Sequence, residues 1–356
     1  MKARSRLTGA TAVLVLAMVS SMAAARSNCR LEQIDEWPVR QVQNHLIVDG
    51  TVNGQRVDVM LGTGAQQTVM LRSAAERLHL HRKWTNGFPM LGIGGQSRLE
   101  TATVDDIGFG RFAGKGWRLL VPIDQNLGEG FDIVLGDDFF HAVDVEFDLA
   151  HNVVRLFRPR DCDGASLAYW APASATEVAM ERVLDARPQI IMEVRINGRP
   201  VQALLDSGAT VSVLTKHDAR AAGVTTDSPG VVAVGKLAGF GENLVDSWTG
   251  AFKSFAVGDE MFRDIVIRFA DVYENATYAT TGSHNPRNLD QDQPMLLGVD
   301  FLRAHRVFVA HSQRKIYLTY VRFPVFETTG LAPASSTWLA PVDWRRQPPP
   351  RNSWRP

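Results

Sequence analysis

The feature that most constrains the fold of this 356-residue chain is a turn motif that occurs twice. The first copy, VNGQRVDVMLGTGAQQTVM, runs from Val52 to Met70, and the second, INGRPVQALLDSGATVSVL, runs from Ile196 to Leu214. In register, each copy has an Asn-Gly pair, a hydrophobic run and a four-residue turn. The turn is Gly62-Thr63-Gly64-Ala65 in the first copy and Asp206-Ser207-Gly208-Ala209 in the second. The chain therefore repeats one structural unit, and only the second unit has an acid in its turn.

A second pair of similar segments closes each unit. The first reads DIVLGDDFF, from Asp132 to Phe140, and the second reads PMLLGVDFL, from Pro294 to Leu302. The turns lie 144 residues apart and the closing segments 162, so the second unit has about 18 extra residues between its two motifs. The polar stretch 274–293 is the predicted insertion, and its Asn, Thr, Gly and Asp residues indicate a surface loop.

Alternating apolar and polar residues dominate both units and predict strands. The Asn53-Gly54 and Asn197-Gly198 pairs predict tight hairpins, because Asn and Gly tolerate the positive φ that two-residue turns require. Short helices are expected over 71–80 and 215–223. We expect an all-β fold of two barrel-like lobes related by an approximate twofold axis. The predicted organisation is lobe one at 30–160, a linker at 161–176, lobe two at 177–325 and a Pro-, Arg- and Trp-rich, disordered tail at 326–356.

Composition limits the classes of partner and the compartment. Formal net charge is zero, so no field of one sign is available to hold nucleic acid or an anionic membrane. Residues 1–25 have a basic start, a short apolar stretch and small residues before Arg26, which predicts a cleaved signal peptide and a periplasmic or secreted protein. The alternative, a membrane anchor, needs a longer apolar run, and no membrane insertion is expected after cleavage. Cys29 and Cys162 would reach an oxidising compartment, where they either form a disulfide or remain two unrelated thiols.

Asp206 is the candidate for acid–base chemistry. It ends the apolar run VQALL, and Gly208 lets the chain turn sharply after it. A partly desolvated carboxylate close to backbone N–H groups has a fixed orientation and a tuned pKa. Ser207, Gly208, Ala209 and Thr210 form the supporting turn. In isolation, an Asp-Ser-Gly triplet would be no more than a turn.

The combination of this turn with the later Leu-Leu-Gly-Val-Asp-Phe-Leu segment resembles the aspartic peptidases, and more narrowly the bacterial retropepsin-like families. The resemblance covers about 40–160 and 180–322. It implies that two facing carboxylates share one proton and activate water, a dyad that is a standard example of coupled titration. It also implies an extended peptide or protein substrate beneath glycine-rich flaps, here 90–95 and 232–239, with no cofactor and no metal. By resemblance, Asp206 is catalytic, and Gly62, Thr63 and Gly64 form its degenerate counterpart.

The missing first acid leaves three hypotheses. The chain could pair as a homodimer with one Asp206 from each copy. It could be an inactive bilobal pseudo-peptidase that binds extended peptides. It could be a monomeric aspartic-type endopeptidase that uses Asp206 alone as a general base. Other acids do not obviously replace the missing one, because Asp58 lies roughly 13 Å along its strand from position 62 and Asp138 matches Asp300 of the second copy.

We predict an aspartic-type peptidase, with the pseudo-peptidase as the alternative. Other enzyme classes have weaker signals. The Gly92–Gly95 run lacks the third glycine of a dinucleotide fingerprint. No His pair has the spacing of metal ligands, and Ser207 is not part of a Gly-x-Ser-x-Gly elbow.

Overall fold

The computed structural model describes residues 28–85, 89–124, 130–181, 189–272, 277–278, 287–288 and 293–326. The predicted signal peptide and the tail beyond Phe326 lie outside this part of the chain. The described residues form mainly β-strands with short helices, in two closed six-stranded barrels joined by a further sheet. The predicted all-β, two-lobed fold is therefore confirmed.

Lobe one is closed because its third strand pairs with two others, in the ring order β3-β4-β11-β5-β10-β9. Two short strands, β2 and β6, extend the ring. The eight strands are β2 (Arg40–Val42), β3 (His45–Val52), β4 (Gln55–Leu61), β5 (Val69–Met70), β6 (Arg82–Trp84), β9 (Leu99–Phe109), β10 (Phe112–Pro122) and β11 (Ile133–Leu135). Between β6 and β9 lies a separate hairpin, β7 (Met90–Gly92) and β8 (Gly95–Ser97).

Lobe two repeats the ring as β15-β16-β23-β17-β20-β19, and β18 extends it. Its seven strands are β15 (Ile191–Ile196), β16 (Arg199–Leu205), β17 (Val213–Thr215), β18 (Val232–Leu237), β19 (Val245–Val257), β20 (Glu260–Ala270) and β23 (Met295–Leu297). Within the predicted insertion, β21 (Thr277–Tyr278) pairs with β22 (Arg287–Asn288), and the remaining residues from 273 to 292 lie outside the described chain.

A six-stranded antiparallel sheet connects the lobes, in the order β1-β13-β12-β24-β25-β14. These strands are β1 (Arg30–Pro38), β12 (Asp144–Asp148), β13 (Val153–Arg160), β14 (Thr176–Ala179), β24 (His305–Ala310) and β25 (Lys315–Tyr320). The central pairing joins β12 of lobe one to β24 of lobe two, with Val145 opposite Val309. Each lobe therefore uses the other to pair its strands, and the lobes are fixed relative to each other.

The helices are short, and packing rather than length must stabilise them. They are α1 (Arg72–Arg77), α2 (Asp137–Phe140), α3 (Lys216–Ala221), α4 (Val299–Ala304) and the 3₁₀ helix η1 (Leu149–His151). Thr215 caps α3, because its hydroxyl accepts a hydrogen bond from the Asp218 N–H at 3.0 Å. Among the described helices, none has the length and apolar character that a membrane crossing requires.

The local turns agree with the sequence pattern. Asn53 and Gly54 have φ of 48° and 74°, and Asn197 and Gly198 have φ of 51° and 79°, which are the positive values expected for two-residue hairpins. The short helices α1 and α3 follow their turn motifs at the same relative place in both lobes.

A disulfide closes lobe one. Cys29 and Cys162, which are separated by 133 positions in sequence, are bonded next to the register pair Arg30–Arg160 of β1 and β13. The stretch predicted as a linker packs onto the interlobe sheet, since the Tyr169 hydroxyl donates to Glu146 Oε2 at 2.6 Å. Both ends of lobe one are thereby tied to the sheet that holds the two lobes together.

Candidate active site

Two equivalent turns meet at the seam between the lobes. One follows β4 and the other follows β16, and each is anchored to the neighbouring closing strand. Gly62 N donates to Leu135 O, and Asp206 N donates to Leu297 O, both at 2.9 Å. The parallel pairing of β4 with β11 and of β16 with β23 therefore places position 62 and position 206 at matching points of the two barrels.

Thr63 and Ser207 join the turns by reciprocal hydrogen bonds across the seam. Thr63 Oγ1 donates to Leu205 O at 2.8 Å and accepts from Ser207 N at 3.0 Å. Ser207 Oγ donates to Leu61 O at 2.9 Å and accepts from Thr63 N at 3.1 Å. Both side chains are buried, so all four bonds are protected from water. The predicted supporting residue Ser207 and its counterpart Thr63 thus have one role, to lock the two turns together.

Asp206 lies at this seam and receives backbone donors from both lobes. Its Oδ1 accepts hydrogen bonds from Gly208 N at 2.8 Å and from Gly64 N at 3.0 Å. Burial raises the pKa of the Asp206 carboxyl, and the N–H groups of Gly208, Gly64 and Ala209 oppose that rise. The residue is only partly exposed, so its carboxylate has the fixed orientation and perturbed affinity for protons that a general base requires.

The glycines at the seam are required by close approach. A Cβ added at Gly64 would overlap the Asp206 carboxyl group, so a larger residue there would displace the carboxylate. A Cβ at Gly208 would lie 3.1 Å from Asp206 Oδ1 and 3.2 Å from the Gly62 Cα. Gly208 and Gly64 therefore have matched roles, in that each brings its N–H to the carboxylate without a side chain in the way.

Position 62 lacks a carboxylate and also lacks the space for a side chain. A Cβ at Gly62 would lie 2.5 Å from the Val134 Cγ1, closer than packed atoms approach. Gly62 is buried, and the Val134 side chain fills the space beside it. Lobe one is therefore packed around a glycine at this position, and the sequence motif gave no signal of that packing.

The remaining predicted positions are ordered around the turn. Ala209 is half-buried, and its carbonyl accepts from Val299 N at 2.8 Å. In the other lobe, Ala65 O accepts from Asp137 N at 2.7 Å. Thr210 follows Ala209 and is also half-buried. These contacts attach each turn to the helix of its closing segment, α4 or α2.

The acids proposed as replacements lie in other contacts. Asp138 Oδ1 accepts from Thr68 N and Oγ1 at 2.9 and 2.7 Å. Asp300 Oδ1 accepts from Ser212 N and Oγ in the same way, at 2.9 and 2.6 Å. The match between Asp138 and Asp300 thus reflects a shared structural role. Asp58 forms a surface ion pair with Arg40.

Asp137 is a buried acid whose environment the sequence did not reveal. It occupies the position of Val299 in the other lobe, is 1% exposed, and neither of its carboxyl oxygens has a hydrogen-bond partner among the described residues. Burial raises its pKa to about 7, helped by the neighbouring Asp138 and opposed by His141. The only signal in the sequence was that the closing segment of lobe one has Asp, next to Asp138, where that of lobe two has Val.

The lobe-one flap hairpin lies against the end of the lobe-two flap and the loop that follows it. The predicted lobe-one flap, 90–95, lies in the hairpin of β7 and β8, and the predicted lobe-two flap, 232–239, is β18 with the first residues of the loop that follows it. Gly241 N donates to Ile93 O at 2.9 Å, and Asn243 N donates to Gly94 O at 3.1 Å. Backbone hydrogen bonds therefore join the lobe-one flap to the loop that follows the lobe-two flap.

Taken together, the described residues place one carboxylate at a rigid two-lobe seam, bonded to the glycine N–H groups of both turns. No group of three His, Cys, Asp or Glu side chains in the described part of the chain is arranged to hold a metal ion. The chemistry that this arrangement can support is proton transfer by Asp206 to or from a water or an extended peptide.

Comparisons with known proteins identify the family of this chain. The sequence profile of the aspartyl protease family matches residues 48–139 and 192–301, which together make up more than half of the chain. A retropepsin-like aspartic protease from Rickettsia conorii is similar in structure, with 18% identity and a TM-score of 0.28, over 37% of this chain and 94% of that one. Among curated proteins, none matches. Because the family profile matches both repeated units and covers most of each barrel, the chain belongs to the aspartyl protease family.

Proposed function

We propose that this protein is a peptide hydrolase that works as a monomer with a single catalytic carboxylate, Asp206. The observation that carries the proposal is the pair of backbone donors, Gly64 N from lobe one and Gly208 N from lobe two, that hold Asp206 Oδ1 at 3.0 and 2.8 Å. Both lobes contribute to the position of one carboxylate. Because Gly64 has no side chain, its N–H can approach the carboxylate this closely.

In the proposed reaction, Asp206 acts first as base and then as acid. It accepts a proton from a water whose oxygen attacks the carbonyl carbon of the scissile peptide bond. The tetrahedral intermediate then breaks its C–N bond, and Asp206 returns the proton to the leaving amine. Without a second carboxyl group to polarise the carbonyl, turnover should be slow, since general-base catalysis alone contributes about 10²–10⁴-fold.

A monomer is favoured because the pairing surface of lobe two is occupied. Thr63 of the same chain accepts a hydrogen bond from Ser207 N and donates one to Ser207 Oγ, and β12 of lobe one pairs with β24 of lobe two. A homodimer that placed two Asp206 residues face to face would have to break these contacts. The proposed site of action is outside the cytoplasm, which the Cys29–Cys162 disulfide supports.

A second candidate, a peptide-binding protein without turnover, is favoured by the Val134 side chain beside Gly62. The deciding experiment is a digest of an unbiased peptide library over pH 3–8 with wild type and Asp206→Asn, with molar mass measured in solution. Asn keeps an oxygen that accepts from Gly64 N and Gly208 N but cannot accept the water proton. Cleavage by a monomeric wild type that is lost in Asp206→Asn supports the hydrolase. Peptide binding without cleavage in both proteins supports the second candidate, and activity that rises with the square of concentration supports the dimer.

A further inference from the structure

We propose that the tip of the lobe-one hairpin is an intramolecular competitor, in which Ile93 occupies an apolar subsite of lobe two that an aliphatic substrate side chain must take over. The inference rests on the proposed peptide-binding cleft. Its consequence is opposite to that of a flap that only assists binding, because weakening this contact should increase affinity for peptides.

The subsite is a buried cluster on the outer face of the lobe-two barrel. Successive residues of a strand point to opposite faces. Ala203 and Leu205 belong to the barrel core, whereas Leu204 between them belongs to a separate cluster. Likewise Leu296 faces outward, between two residues of the core. We name this set the outer cluster, and it consists of Ile191, Leu204, Val211, Val213, Val245, Ala270, Val272 and Leu296.

The outer cluster lies next to the catalytic position along the chain and across the sheet. Leu204 precedes Asp206 by two residues, and Leu296 pairs with Leu204 in the parallel β16–β23 register. Two partly buried residues pack against the cluster, Leu237 from lobe two itself and Ile93 from lobe one. Ile93 is therefore the side chain that crosses between the lobes to cover apolar surface beside Asp206.

Backbone hydrogen bonds hold Ile93 in this place on both sides. Gly94 N donates to Val272 O of the outer cluster at 3.1 Å. Gly241 N donates to Ile93 O at 2.9 Å, and Asn243 donates to Gly94 O through both its backbone N and its Nδ2, each at 3.1 Å. Glu242 N adds a bond to Gln96 O at 3.2 Å. Extended peptides are recognised by the same kind of strand-like backbone pairing, so the hairpin uses groups that a substrate would need.

Glycines make the contact close enough for these bonds. A Cβ added at Gly241 would overlap the backbone of Gly94 and Gly95, and one at Gly239 would lie 2.6 Å from the Ile93 Cβ. A Cβ at Gly92 would lie 2.9 Å from the Phe240 Cβ. Gly241 has no positive φ, so Ala is compatible with its backbone conformation and is excluded only by the contact with lobe one.

The test compares wild type with Gly241→Ala and Ile93→Ser. Leu237→Ser is the matched control, because it removes apolar contact with the same cluster without crossing between the lobes. Hydrogen exchange at the amides of Gly94 and Asn243 measures directly whether the lobe-one hairpin stays bonded to lobe two. We expect rapid exchange at both amides in Gly241→Ala and protection in Leu237→Ser.

Peptide affinity is then measured with a hexapeptide library whose central residue is Val, Ile, Leu, Ser or Lys, in an Asp206→Asn background so that turnover plays no part. In closed molecules Ile93 occupies the outer cluster, so the apparent affinity for an aliphatic peptide falls as the closed fraction rises. Variants that release Ile93 should therefore bind the Val, Ile and Leu peptides about tenfold or more tightly. The Ser and Lys peptides should gain less. Leu237→Ser should show no gain.

Equal affinity in the opened variants and wild type, or an equal gain for Ser, Lys and aliphatic peptides, would overturn the inference. Protection at Gly94 and Asn243 that is unchanged in Gly241→Ala would overturn it as well. Failure of the proposed function appears elsewhere, as absence of Asp206-dependent cleavage in every variant with Asp206 present. If no variant cleaves peptides, the increase in peptide affinity of the opened variants still tests the inference, since it is measured without turnover.

Discussion

Lobe one and lobe two place the same hydrogen bonds at the same positions of their barrels. Each turn donates an N–H to a carbonyl of its closing strand, Leu135 or Leu297, and the aspartate of each closing segment, Asp138 or Asp300, accepts a hydrogen bond from a hydroxyl. The lobes differ where lobe one has Gly62 and lobe two has Asp206, and where lobe one has Asp137 and lobe two has Val299. The difference shows that a lobe can keep the framework that positions a carboxylate after the carboxylate itself has gone. In this chain, lobe one has become a support for the acid of lobe two.

The largest expected effect comes from making lobe one resemble lobe two. Gly62→Asp combined with Val134→Ala supplies a second carboxyl and removes the methyl group that stands 2.5 Å from the new Cβ. A general acid opposite Asp206 should raise kcat/KM by about 10²-fold or more. Peptide hydrolysis measures the gain, with Val134→Ala alone as the control. No gain in the double variant would mean that the two turns do not place the carboxyl groups in reach of one substrate.

The next effect concerns the covalent closure of lobe one. Replacing both cysteines, Cys29→Ser with Cys162→Ser, removes a cross-link across 133 residues and should lower the free energy of unfolding by about 3–5 kcal/mol. Denaturant unfolding of the full chain, compared with wild type under reducing and oxidising conditions, measures the loss. Wild type should lose the same amount on reduction. Equal stability of the oxidised wild type, the reduced wild type and the double variant would contradict a structural role for the disulfide.

A smaller effect should follow from Asp137→Val, which copies Val299 into lobe one. The folded pKa of Asp137 is about 7, raised from 3.8 by burial, so the folded state binds its proton more tightly than the unfolded state. Burial of the Asp137 carboxyl therefore lowers the free energy of unfolding least below pH 3.8 and increasingly as pH rises from 3.8 to 7. The full loss is reached above pH 7. Asp137→Val should stabilise the protein by about 2–3 kcal/mol more at pH 8 than at pH 5.

Denaturant unfolding at the two pH values measures this difference. Asp138→Val is an unsuitable control, since it would also break the bonds to Thr68, so we use Asp137→Asn, which keeps the size of the side chain and removes the titration. Asp137→Asn should share the loss of pH dependence. A pH dependence equal to that of wild type in both variants would show that Asp137 does not ionise in this range.

Much of this molecule could be predicted from the repeat. The Asn-Gly hairpins, the two turns, the short helices after them and the shared role of Asp138 and Asp300 all follow from patterns within one strand or turn. What could not be predicted depends on contacts between distant segments. The Val134 side chain beside Gly62, the burial of Asp137 and the insertion of Ile93 into lobe two are packing outcomes. The aligned copies show that Asp137 stands where lobe two has Val299, but burial and close contact depend on segments that are distant in sequence.

The central claim is that Asp206 alone titrates in the reaction, and the pH profile of kcat/KM tests it most directly. Measured from pH 3 to 8 on the monomer, with Asp206→Asn as the blank, the profile should have one rising limb, because the carboxyl must lose its proton to act as base. Burial raises the pKa of Asp206, so the limb should lie above the usual range of an aspartate. A plateau after that single limb is the predicted result. A bell-shaped profile with two limbs would contradict the account, since it would require a second titrating group opposite Asp206.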